Sequence, residues 1–158
     1  MNKFTSTNSI VLGSNTMAID PSYIKESTDG IRYKTVPGKY IVKEFINEMP
    51  EGYEEIEGVL IVHESRKSNI KVKDCKYKPK LIISGCDEIG VYDVEKYPDD
   101  GIKSCKHRIS KDLSIYHVPD NNWGVTAANF DCCIFQVRIH KNTDNKVDAI
   151  YLDFSEEY

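Results

Sequence analysis

Isoleucine and valine together number 30 in this chain, while leucine and alanine together number 9. Two heavy atoms on Cβ restrict χ1 and crowd the preceding turn of a helix, whereas the same branching packs well on a pleated surface. The bias predicts strands as the main element, and ten Tyr with five Phe push the same way. The expected fold class is mainly β, an α+β chain with little helix. It is an antiparallel β-sandwich or curved sheet with a C-terminal β-hairpin and one short helix near residues 102–113.

At 158 residues a chain can bury about two thirds of its extended surface, so a single β-rich domain over 1–158 needs no disulfide or metal staple. A charged fraction of 29% with 9 Gly and 6 Pro excludes a disordered or collagen-like chain. No apolar run approaches the roughly 18 residues of a membrane span, and the polar first eight residues lack the apolar core of a signal peptide. The expectation is a cytoplasmic protein without membrane contact. Five Cys, an odd number with no Cys-x-x-Cys pair, then read as reduced thiols, some of them small core residues.

Period-two alternation is clearest over Lys39 to Asn47, a strand begun by Pro37-Gly38. Glu57 to Val62 is nearly unbroken apolar sequence, which suggests a strand covered on both faces and hairpin-paired with the first. Shorter strands are expected at Ser9 to Leu12, Thr16 to Ile19, Ile31 to Val36, Ile70 to Lys73, Leu81 to Ser84, Ile89 to Val94 and Leu113 to Val118. Ile134 to His140 and Val147 to Phe154 flank a polar turn segment and predict the terminal hairpin, with Phe135, Val137 and Ile139 facing the core beside Ile150, Leu152 and Phe154. Ile102, Cys105, Ile109 and Leu113 carry helical spacing. Asp20-Pro21 has the form of a capped turn, with the carboxylate at the cap.

Signatures of chemistry are sparse. The four His residues form no i, i+4 pair, so neither a metal nor another cofactor is expected. Asp131-Cys132-Cys133 must send one thiol outward, the nearest approach to a nucleophile. Adjacent carboxylates mark solvated turns more often than an acid and base held apart, and no phosphate loop, nucleophile elbow or zinc helix occurs.

Charge is more informative in its distribution than in its formal sum of −4. Glu44, Glu48, Glu51, Glu54, Glu55 and Glu57 make an acidic stretch, and Lys71, Lys73, Lys76, Lys78 and Lys80 follow it. In an extended segment Lys76, Lys78 and Lys80 share one face, with Tyr77 among them. That face suits an anionic ligand or an acidic protein; the plainer explanation is an edge strand protected by lysine. A pI near 5.6 and the lack of an aromatic-rich basic motif argue against general nucleic-acid binding.

Ile10-Val11-Leu12-Gly13, Ala18-Ile19-Asp20-Pro21, Pro37-Gly38-Lys39-Tyr40, Ile89-Gly90-Val91-Tyr92-Asp93 and Ala149-Ile150-Tyr151-Leu152-Asp153-Phe154 follow one another in an order that resembles the "domain of unknown function 4241" group and its bacterial and phage relatives. The resemblance spans nearly the whole chain through short, loose motifs. It departs from the group in two loops. Gly85-Cys86-Asp87-Glu88 stands where an Asp-Ser-Gly-Gln-like turn is expected, and Asn129-Phe130-Asp131-Cys132 replaces a Gly-rich loop, which changes the φ > 0 conformations on offer. The resemblance implies no activity.

Two functions follow as expectations. One is a non-catalytic accessory protein of bacterial or phage origin that engages a toxin, a defence factor or a small anionic signal, using Asp20, Asp87, Asp93, Asp131, Lys76, Tyr77, Lys78 and Lys80. The other is a small hydrolase in which Asp20, Asp87, Asp93 and Asp131 converge with a Cys or His in a cleft. Open strand edges are compatible with a monomer or a homodimer.

Overall fold

The computed structural model describes residues 2–52, 54–66, 69–75, 77–83, 88–102, 115–117, 122–128 and 134–154. Eleven strands run through them: β1 Asn2–Leu12, β2 Asn15–Ile19, β3 Ile31–Lys34, β4 Gly38–Glu48, β5 Glu54–His63, β6 Tyr77–Ile83, β7 Glu88–Asp93, β8 Ile115–His117, β9 Gly124–Ala128, β10 Ile134–Lys141 and β11 Val147–Asp153. The fold is mainly β, as the Ile/Val excess predicts. Two antiparallel sheets form, a six-stranded one in the order β1-β4-β5-β11-β10-β6 and a five-stranded one in the order β3-β2-β7-β9-β8.

A single apolar layer fills the space between the sheets. Ile10, Tyr40, Val42, Val59, Ile61, Phe135, Val137, Ile150 and Leu152 come from the larger sheet; Ala18, Ile89, Val91, Val125 and Ala127 come from the smaller. The terminal hairpin points Phe135, Val137 and Ile139 into this layer beside Ile150, Leu152 and Phe154, as alternation requires. Phe135 and Phe154 meet edge-on with ring centroids 5.2 Å apart, the arrangement that aromatic quadrupoles favour.

Each sheet is also covered on its outer face. Leu60 and Val62 of β5 join Ala149 and Tyr151 of β11 against Ile70 and Cys75, while Val59 and Ile61 face the inner layer. This accounts for the unbroken apolar run of β5. The covering segment overturns the strand expected at Ile70 to Lys73: Val72–Asp74 is a 3-10 turn. Lys71 N–H donates to the Asp74 carboxylate at 2.8 Å and Asp74 N–H to Lys71 O at 2.9 Å, so a local side-chain bond outcompetes the ladder. Beyond the smaller sheet, Val94, Tyr97 and Ile102 lie over Met17, Ile19 and Tyr92.

Gly38 and Gly90 are among the glycines that close approach requires. Gly38 opens β4 at φ +135°, and a Cβ there would come within 2.7 Å of His63 Nε2. A Cβ on Gly90 would strike the Tyr92 hydroxyl, which instead hydrogen-bonds Thr126 Oγ1 at 2.5 Å.

Other expectations need correction or fall elsewhere. β3 stops at Lys34 rather than Val36, because Val36 N–H leaves the ladder to donate to Val147 O at 2.9 Å. β9 and the first residues of β1 are strands without period-two apolar signal in the sequence. The short helix near 102–113 lies outside the described residues from position 103 onward. No helix among the described residues is long and apolar enough to cross a membrane.

Candidate functional site

The loop between β2 and β3 is fixed by its first residue. Asp20 is fully buried, and its Oδ1 accepts from Ser22 N–H at 2.8 Å and from Ser22 Oγ at 2.7 Å, an Asx turn closed by a carboxylate. Tyr97 then donates its hydroxyl to Tyr23 O at 2.7 Å, and Lys25 N–H donates to Asp99 O at 3.0 Å. Arg32 Nη2 reaches back from β3 to Lys25 O at 2.8 Å. The Asx turn fixes the start of an otherwise irregular segment, and Tyr97, Asp99 and Arg32 tie it to its neighbours.

Where that loop meets β6, an open cleft of about 750 Å³ forms, within the range of small-ligand sites. Residues 28–32 line one side and Lys80 and Leu81 the other, and Tyr23 also contributes. Each wall includes a sheet edge: Ile31 and Arg32 belong to β3, which ends the smaller sheet, and Lys80 and Leu81 to β6, which ends the larger. Arg32 and Lys80 are exposed and place a cation on each wall, opposed by the single carboxylate of Asp29. Leu81 adds an apolar surface, 55% exposed.

Of the residues singled out from sequence, Lys80 is the one among the described side chains that lines this cleft. Tyr77 and Lys78 belong to the backbone of β6, with side chains outside the described set; Lys76, Asp87 and Asp131 lie outside the described residues altogether. Asp93 is 7% exposed at the end of β7, and its Oδ1 accepts from Glu95 N–H at 3.1 Å. Asp20 and Asp93 do not converge. Asp93 faces Thr16 across the β2–β7 ladder, so Asp20 stands four residues along it, about 13 Å at a strand's rise per residue.

β6 is at a sheet edge, and its register against β10 jumps from Lys80 opposite Val137 to Tyr77 opposite Ile139. Lys78 and Pro79 thus share the place opposite Arg138. Proline, lysine and a bulge together blunt an edge against unwanted pairing.

Three further groups bear on chemistry. His140 Nδ1 and Asp148 Oδ1 are 2.6 Å apart, the carboxylate almost fully buried and the ring 27% exposed. His63 stacks edge-on against Tyr40 and bonds Pro37 O through Nε2 at 3.0 Å and Ser65 Oγ through Nδ1 at 2.8 Å. Cys75 is a free, buried thiol; burial, with the Asp74 and Asp148 charges adding to it, pushes its pKa up to about 12. A thiol so raised is protonated at neutral pH and is no nucleophile. The other four Cys lie outside the described residues. No three His, Cys, Asp or Glu side chains among the described residues gather as metal ligands.

Arg32, Tyr23 and the 28–31 wall were not legible as a site, because their meeting with Lys80 depends on which strands end the two sheets. The basic character of Arg32 and Lys34 on alternate positions of β3 was the one available signal.

No family model matches the chain, and no curated protein or solved structure matches it either. The resemblance to the "domain of unknown function 4241" group rests on its short motifs alone, and the two loops that depart from it fall largely outside the described residues.

Proposed function

We propose that this chain is a non-catalytic binding protein that holds an anionic ligand in the cleft between β3 and β6. The observation that carries the reading is the placement of Arg32 and Lys80 on opposite walls of a tethered cleft. A guanidinium keeps several N–H donors after one has gone to Lys25 O, and an ammonium is a mobile point charge, so the pair suits carboxylate or phosphate oxygens. Support also comes from the chemistry nearby. Asp20 is spent on a turn and Cys75 is buried and protonated, which leaves the hydrolase reading without its acid cluster or thiol among the described residues. The biological occupants that fit are an acidic surface of a toxin or defence factor and a small anionic signal.

Isothermal titration with inorganic pyrophosphate and with a short acidic peptide tests this. At least one should bind with an affinity that falls as salt rises. In Arg32→Gln/Lys80→Gln, that affinity should fall about tenfold, the size expected for two partly exposed charge contacts. Binding of neither probe, or equal binding by the double variant, overturns the proposal.

A further inference from the structure

The cleft runs along strand edges rather than across a sheet face. Within the strands the lining residues are consecutive, Ile31 with Arg32 in β3 and Lys80 with Leu81 in β6; on a strand's face only every second residue would line it. The orientation of the β3 backbone follows from its register. Thr35 N–H donates to Ser14 O at 3.0 Å, one step beyond the pair Asn15 and Lys34. Antiparallel ladders alternate, so Tyr33 and Ile31 direct their N–H and C=O groups to β2, while Arg32 directs its own away from it, on the side of the cleft. At the other end of β3 the edge is closed, since Thr35 bridges Val147 and Val36 N–H donates to Val147 O.

Resting on the anion-binding reading above, we infer that the occupant is an extended acidic peptide segment that adds as a strand to the open edge of β3 at Arg32. Main-chain pairing supplies the attachment, and alternate side chains supply the choice of partner. Ligand side chains on one face of the added strand meet Arg32 beside Tyr23, and those on the other face lie over Ile31 toward Lys80. Strand addition is confined to β3 because β6, across the cleft, carries Pro79 and a register shift that blunt its own edge. The length of open edge limits the paired core to about three ligand residues.

The test titrates the ¹⁵N-labelled full chain with an acidic peptide of about eight residues, alternating Thr and Glu, and in a separate arm with inorganic pyrophosphate. The peptide should shift the amides of residues 29–33 and slow hydrogen exchange at Arg32 N–H by about tenfold or more. Two N-methylated peptides, blocked on alternate residues, should separate: one register loses binding and the other keeps it. Pyrophosphate binding without peptide binding overturns the strand inference and leaves the anion-binding reading standing. Silence in both arms overturns both. Equal binding by the two N-methylated peptides means charge alone holds the ligand, and the strand inference falls. Lys80→Gln, a single exposed change, keeps the comparison valid if the double variant loses its native spectrum.

Discussion

Cys75 shows how burial decides what a single side chain can do. Its thiol has no exposed surface, lies under Val62 and Ala149, and is held at a pKa of about 12 against an ordinary value of 9.0. Tyr33, Tyr40 and Tyr151 are raised above their ordinary 10.0 for the same cause. The unfolded chain therefore ionises these groups first. Their contribution to stability is complete below about pH 9 and is lost as pH rises toward the folded values, at up to about 1.4 kcal/mol per pH unit for each group. Urea unfolding from pH 8 to 10.5 should show stability flat and then falling, with Cys75→Ala shallower between pH 9 and 10, before the tyrosines contribute. The same slope in the variant would show that Cys75 is not the source. Sequence alone marked the thiols as reduced and some as core. It could not say which, since Cys75 follows a turn whose covering role depends on where β5 and β11 lie.

At the level of elements, the β10–β11 hairpin joins what was legible to what was not. Alternation placed Arg138 and His140 on the outer face, and they are there: Arg138 Nη2 reaches Asp153 Oδ2 at 3.2 Å. The partner of His140 was hidden. His140 pairs with Ala149 and Lys141 with Val147, so Asp148 is the extra residue of a bulge, re-aimed toward the imidazole. One inserted residue leaves no trace in local composition, which is why four isolated histidines were all that the pattern displayed. His140→Ala strands a buried carboxylate and should destabilise the protein by roughly 1–3 kcal/mol in urea denaturation. A loss under about 0.5 kcal/mol, the scale of an ordinary surface change, would mean that the pair contributes nothing. β3 and β6 make the same point for the cleft. Both strands were legible within a few residues, but their rank as the last strands of two different sheets was not, so Lys80 could be noticed and Arg32 could not.

In the whole molecule, the terminal hairpin is central in space. β11 lies between β5 and β10, and β10 between β11 and β6, so residues 134–154 supply two inner strands of the larger sheet and Phe135, Val137, Ile150 and Leu152 to the shared core. Ending the chain after residue 133 should abolish the native circular dichroism spectrum and the cooperative unfolding transition, whereas a folded remnant with intact cooperativity would refute this placement. Ile/Val counts and alternation were enough to read two-sided burial in β5 and the inward face of β10, because both are local patterns. The order of the strands is long-range and has no local signature: β4 and β5 meet through a short turn, while β5 and β11 meet across most of the chain. That order sets a schedule for synthesis. β6 leaves the ribosome long before β10 exists to receive it, and β5 waits on one side for β11, so the nascent chain carries two unmatched edges until residue 153 has emerged. During that interval Pro79, which has no backbone N–H to donate, interrupts β6 as a template for wrong pairing.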